Sequence, residues 1–315
     1  MSNEIHYGRK RNGIKKELHD KLTEWANSIT DESVRNLVKK NTIVTGGSIA
    51  SMLLGEPIND YDVYFKDYET TLAVAKYYVD EFNKNTKLIV AEGVTPYQPH
   101  VQTHNDFPGK FNEERVMIYM KSAGVAGERQ ITYDYFESCS ADDVAKFADS
   151  LKDTNEPGRA KYRPIFLSPN AITLSNDVQI VIRFFGSPEE IHGNYDFAHA
   201  MCYYDWDKYN LVLPAEALEC LLSRTLLYHG SLYPLATIYR VRKFIERGWR
   251  ISVGQLTKIC WQISELDMSN HDVLTEQLTG VDAAYLFQLI QALKDVDSSK
   301  IDSTYVAEII DRIFD

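Results

Sequence analysis

An acidic pair, Asp60-Tyr61-Asp62, follows a Gly46-Gly47-Ser48 run after a spacer of eleven residues. Side chains on a strand repeat every two residues, so Asp60 and Asp62 would project from one face. Two carboxylates held side by side repel each other unless positive charge lies between them. A divalent cation supplies that charge, and Mg²⁺ favours hard oxygen ligands shared with substrate phosphates. A Gly-Gly-Ser turn opening a helix offers what such phosphates need. Its backbone N–H groups are unpaired, no Cβ blocks close approach, and the helix dipole attracts an anion. A phosphate cradle beside a carboxylate-bound metal is the equipment of nucleotidyl or phosphoryl transfer.

The surrounding sequence supplies the elements that would position these groups. Thr42-Ile43-Val44-Thr45 is short and β-branched, which predicts a strand running directly into the glycines. Ile49 to Leu54 then reads as a short helix stopped by Gly55, and Asp60–Phe65 as a second strand. Upstream, Leu18, Leu22, Trp25, Ala26 and Ile29 give residues 15–29 a helical apolar face, and Asp31 can cap a second helix. Downstream, Glu69 to Phe82 predicts a helix. Strands are expected at Lys87–Ala91, Val116–Met120, Ile131–Phe136, Ala171–Leu174 and Val178–Phe185. Residues 93–113 read as a loop, Ala141–Leu151 as a helix, and Lys152–Arg159 as a surface loop. Ser187-Pro188-Glu189-Glu190 predicts a helix start, and Tyr195–Tyr203 a further strand. From Ala215 onward the periodicity is helical throughout. The chain therefore divides into a mixed half, 1–205, and a helical half, 206–315.

The strand–GGS–helix–DxD–strand order resembles the signature of the DNA polymerase β-type nucleotidyltransferase superfamily. Gly46, Gly47, Ser48, Asp60 and Asp62 all match it. The resemblance implies an α+β fold, with a polymerase β-like core (a mixed sheet with flanking helices) followed by an all-helical, substrate-binding C-terminal domain. It also implies a third carboxylate on a later strand, for which Asp196 is the best placed and Asp134 the competitor. Asn194-Tyr195-Asp196-Phe197-Ala198 is faintly similar to the Arg-Arg-Asp-Phe-Thr motif of CCA-adding enzymes and poly(A) polymerases, with the arginine pair absent. Those enzymes also carry an Arg-rich helix after the catalytic domain, and Tyr239–Trp249 resembles it. Arg240, Lys243 and Arg247 share a face there, and residues 223–258 hold seven Lys/Arg against the single acid Glu246. The match covers about 45–205 well and 215–250 loosely.

The resemblance implies NMP transfer from an NTP to an acceptor hydroxyl, with Mg²⁺ (or Mn²⁺) and release of pyrophosphate. Asp60 and Asp62 would bind the ion on the triphosphate, and Asp196 would join them around a second ion. Gly46, Gly47 and Ser48 would hold the phosphates, with Arg240, Lys243 and Arg247 on the nucleotide or on an RNA end. An RNA or tRNA 3′ end is the acceptor expected. The alternatives are AMP or UMP transfer to a protein or small molecule, as in toxin-type relatives, and a non-catalytic scaffold that kept the fold.

Composition bounds these readings. The chain has 315 residues, 44% of them hydrophobic, enough for packed cores rather than disorder. Its 34 Lys+Arg against 45 Asp+Glu give a net charge of −11, which disfavours bulk coating of nucleic acid or anionic membrane. No window approaches the ~18 apolar residues of a membrane span, and the polar start is no signal peptide. Cys139, Cys202, Cys220 and Cys260 form no C-x-x-C pair, so reduced thiols in a cytoplasmic protein are expected. His100, His104 and Asp106 have zinc-like spacing but no cysteine partner, and read as surface residues. Arg9, Lys10, Arg11, Lys15 and Lys16 read as a frayed basic terminus, with RNA contact as the alternative.

Overall fold

The computed structural model describes residues 8–85, 98–106, 114–119, 124–125 and 161–268, with single residues at 270, 273, 277, 304 and 307. The first helix, α1 (Arg11–Ser28), buries Ile14, Leu18, Leu22, Trp25 and Ala26, a stripe three and four residues apart. Asp31 caps α2 (Glu32–Asn41) by accepting from the Ser33 and Val34 N–H groups. Then come β1 (Thr42–Thr45), α3 (Gly47–Leu54), β2 (Tyr61–Phe65) and α4 (Tyr68–Asn85). Among the described residues six strands follow: β3 (His100–Thr103), β4 (Val116–Tyr119), β5 (Gly124–Val125), β6 (Pro164–Leu167), β7 (Ala171–Leu174) and β8 (Val178–Val181). After α5 (Pro188–His192) the chain forms β9 (Tyr203–Asp205) and β10 (Asn210–Val212). It ends, as described, in α6 (Ala215–Ser223), β11 (Thr225–Leu226), α7 (Pro234–Glu246), β12 (Arg250–Ile251) and α8 (Val253–Ser264).

One sheet organises these elements, in the order β10-β9-β1-β2-β8-β7-β6-β5. It is mixed: β1 lies antiparallel to β2, and β8 runs parallel on the other side of β2. Burial along β2 separates its two faces. Tyr61, Val63 and Phe65 enter the main core, where Trp25 stacks on Phe65 and donates its indole N–H to Tyr78 Oη at 2.8 Å. Asp62 and Tyr64 point to the opposite face, where Tyr64 packs in a smaller cluster with Ile43 and Ile191 of α5. The fold is thus α+β, a mixed sheet with flanking helices and a helix-rich C-terminal part. No helix among the described residues is long and apolar enough to cross a membrane.

Four expectations need correction. The basic start is docked rather than frayed: α1 begins at Arg11, whose guanidinium donates to Leu211 O at 2.6 Å, and Arg9 pairs with Glu17. The ammonium of Lys15 lies 4.2 Å from the Tyr209 ring centre. Tyr195–Tyr203 is not one strand. Asp196 O accepts from the His229 N–H and Leu227 O from the Ala198 N–H, which bind this stretch to the 227–229 loop and leave only Tyr203–Asp205 for the sheet. The 178–185 strand stops at Val181. The last sheet strand, Asn210–Val212, lies beyond residue 205, and Thr225–Leu226 pairs with Arg250–Ile251 inside the half expected to be wholly helical. The expected elements at 87–91, 131–136 and 141–151 lie outside the described residues, as do Asp134 and Cys139. Among the described cysteines, Cys202 and Cys220 are buried free thiols and Cys260 is an exposed one.

Candidate active site

β1 delivers the chain into Gly46, whose φ of 98° and ψ of −154° belong to a region used almost only by glycine. The Gly46 N–H donates to Ala200 O at 3.1 Å, which fixes the turn to the segment before β9. A Cβ on Gly46 would lie 2.7 Å from Asp62 Oδ2. The glycine is there because a carboxylate needs its space. Gly47 begins α3 with open space where its Cβ would be. Ser48 is buried, and its Oγ has no hydrogen-bond partner. A buried hydroxyl left unsatisfied at a helix N-terminus is a donor awaiting an acceptor.

Asp62 is half-buried on β2, with Asp60 just before the strand. Burial and then the charge of Asp60 push the Asp62 carboxyl well above the usual carboxylate range. Beside β1 lies a part-buried polar layer. Thr45 Oγ1 lies 2.8 Å from His192 Nε2 and donates to Cys202 O at 3.0 Å. The Tyr195 ring packs against both Tyr64 and His192. Burial, opposed by the charge of Glu189, lowers the His192 pKa to about 4, so this layer is neutral at pH 7.

The structure therefore brings Gly46, Gly47, Ser48 and Asp62 together, with Asp60 adjacent in sequence. It does not group Asp196 with them. Asp196 is buried on the loop after α5, and its carboxylate is ion-paired with Arg240 of α7. Arg247, just past α7, pairs instead with Glu56, which also accepts from Arg224, at 2.7 and 2.8 Å. Lys243 is exposed. Arg240 and Arg247 therefore face different carboxylates and do not act as one face. His100 and His104 sit against Tyr119 and Tyr68, and the Asp106 carboxylate accepts from the Thr103 N–H.

Sequence reasoning missed Glu56, and its environment makes a prediction. Burial pushes its carboxyl up, but hydrogen bonds from Arg247 and Arg224 outweigh that and leave it below the usual range. A carboxyl with a lowered folded pKa stabilises fully above the unfolded value, and the stabilisation fades as pH falls through the folded one. Glu56→Gln is expected to destabilise by about 1–2 kcal/mol at pH 7, the figure being held down because both guanidinium groups stay partly solvated. The deficit should begin to shrink as pH falls through about 4, the ordinary glutamate range, and vanish only below the lower folded value. Thermal melts of both proteins across pH 3–8 check this, and a deficit independent of pH would remove the charge argument.

The profile of the Gabija anti-defense 2 family matches residues 16–224, about two thirds of the chain and all of the site just described. The chain belongs to that family. A protein named Gabija anti-defense 2, from Bacillus phage SPbetaL7, is 23% identical over 137 residues, which span 43% of this chain and 33% of that relative. Among solved structures, a Thermotoga maritima CCA-adding enzyme complexed with tRNA superposes on 92% of this chain and 68% of its own, at 11% identity and a TM-score of 0.39. In this member of the Gabija anti-defense 2 family, the glycine turn and the β2 carboxylate fall inside the matched region. Arg240, Arg247 and the helices that carry them lie outside it.

Proposed function

We propose that this chain is a metal-dependent nucleotidyltransferase that moves an NMP from an NTP to an acceptor hydroxyl. The observation that carries the reading is the Asp62 carboxylate filling the space where a Cβ on Gly46 would sit, at the point where a helix N-terminus with an unsatisfied Ser48 hydroxyl opens. These residues fit a metal-bound triphosphate. The orphaned Ser48 Oγ and the α3 N–H groups can donate to phosphate oxygens, and Gly47 leaves room above the turn. Asp60 and Asp62 would hold a divalent cation, whose chemistry there is to offset the charge of the triphosphate and of its leaving group.

The turn then orients the triphosphate so that the acceptor oxygen faces the α-phosphorus opposite the pyrophosphate. As that oxygen bonds to phosphorus its proton passes to solvent, the bond to the β-phosphate oxygen breaks, and pyrophosphate leaves. The part-buried Thr45–His192 contact holds β1 and the turn in place during this step.

Family and charge together support an acceptor within a defense system. The family is named for countering a defense termed Gabija, and we assign the acceptor hydroxyl to a component of that defense. The expected RNA 3′ end is less well supported, because four of the seven cations of residues 223–258 are paired with carboxylates of the chain. Arg240 pairs with Asp196, Arg242 with Glu246, and Arg224 and Arg247 with Glu56. The test supplies each α-labelled NTP with Mg²⁺ or Mn²⁺, the purified chain, and either the purified defense components or total RNA. Label in a defense component, lost in Asp62→Asn, is expected. Label confined to RNA would replace the acceptor, and no transfer from any NTP would remove the activity.

A further inference from the structure

The strand beside β2 limits what the site can hold. β8 runs parallel to β2 with Tyr61 opposite Val178, Asp62 opposite Gln179 and Val63 opposite Ile180. Residues paired in this way project from the same face on strands about 5 Å apart. Burial agrees: Val178 and Ile180 enter the core with Tyr61 and Val63, while Gln179 is half-buried on the Asp62 side. Gln179 is therefore the lateral neighbour of the Asp62 carboxylate, and it is neutral.

We propose that Gln179 restricts this site to one divalent cation, an inference that rests on the nucleotidyl-transfer reading above. Asp60, Asp62 and phosphate oxygens are a sufficient set for one hard cation, since Mg²⁺ is commonly held by one or two carboxylates together with substrate phosphates. A second ion beside the first adds two positive charges, and a further anionic ligand is what offsets them. Within strand-to-strand reach of Asp62, the place such a ligand would take on β8 carries a carboxamide. Asp196 does not fill the gap, because Arg240 already neutralises its carboxylate. Among the described residues, no three His, Cys, Asp or Glu side chains are grouped so as to share a metal. Gln179 instead offers an amide oxygen and two N–H donors to whatever is bound beside Asp62.

The test counts ions and does not depend on turnover. The full chain is titrated with Mn²⁺ in the presence of α,β-methylene-ATP, which cannot transfer its NMP, and retained Mn²⁺ per chain is read by equilibrium dialysis. Wild type is expected to retain one ion, and Gln179→Asp two. Gln179→Glu serves as the second variant should Gln179→Asp melt early, and Gln179→Ala should retain one. Two ions in wild type, or one in both acidic variants, would overturn the role of Gln179 while leaving the transfer reading intact. Asp62→Asn separates the two cases: if it retains as much Mn²⁺ as wild type, the metal does not sit at this site and both readings fall.

Discussion

Asp62→Asn is expected to abolish transfer and to raise the melting temperature of the unliganded protein. The loss in rate should be at least ~10³-fold, because charge stabilisation by a bound cation is worth several kcal/mol and each 1.36 kcal/mol is tenfold. The gain in stability has a defined sign. Burial and the charge of Asp60 raise the Asp62 carboxyl pKa in the folded state. Such a group favours folding when protonated, and that contribution is lost as pH rises through the folded value. Wild type therefore loses stability as pH rises above the ordinary carboxylate range, and the variant, which has no ionisable group there, does not. The melting-temperature advantage of Asp62→Asn should be largest near pH 8 and close toward pH 4, at roughly 2–4 °C for each kcal/mol relieved. A divalent cation with an NTP should reverse the order, since it stabilises only the protein that binds it. Transfer within tenfold of wild type in Asp62→Asn would falsify the assignment of this carboxylate.

Gly46→Ala is expected to lose both stability and activity. At φ 98° and ψ −154° an L side chain carries a backbone strain of about 1–3 kcal/mol. Its Cβ would also meet Asp62 Oδ2 at 2.7 Å, so either the turn or the carboxylate must move. Displacement of a reacting group by about 1 Å is worth roughly 10²-fold in rate, and transfer should fall by at least that much. Gly47→Ala is the matching control, because nothing lies within 4 Å of the Cβ it would add. Its stability should stay within about 0.5 kcal/mol of wild type, while the melting-temperature shift given by an NTP with Mg²⁺ should shrink. Equal melting temperatures for Gly46→Ala and wild type would show that the turn is not built around Asp62.

Much of the site was legible because its parts lie close together in the chain. A β-branched run, two glycines, a short apolar helix and an alternating acidic strand are local signals, and β1, α3 and β2 appear where those signals put them. Local chemistry also foretold the Asp31 cap and the helix start at Ser187-Pro188, which the structure closes with a Ser187–Glu190 capping box. The partners of these elements were not legible. Nothing in the composition of residues 178–181 says that they lie beside β2, in parallel and in a register that sets Gln179 against Asp62. That pairing joins segments more than a hundred residues apart, and a shift of one residue would have turned Gln179 into the core. Arg240 and Arg247 have the spacing of a single cationic face, yet each meets a carboxylate from a distant loop, Asp196 and Glu56. Period and spacing fix which residues share a face of one element. Which charges neutralise one another, and which residue stands beside the β2 carboxylate, is decided only when the elements pack.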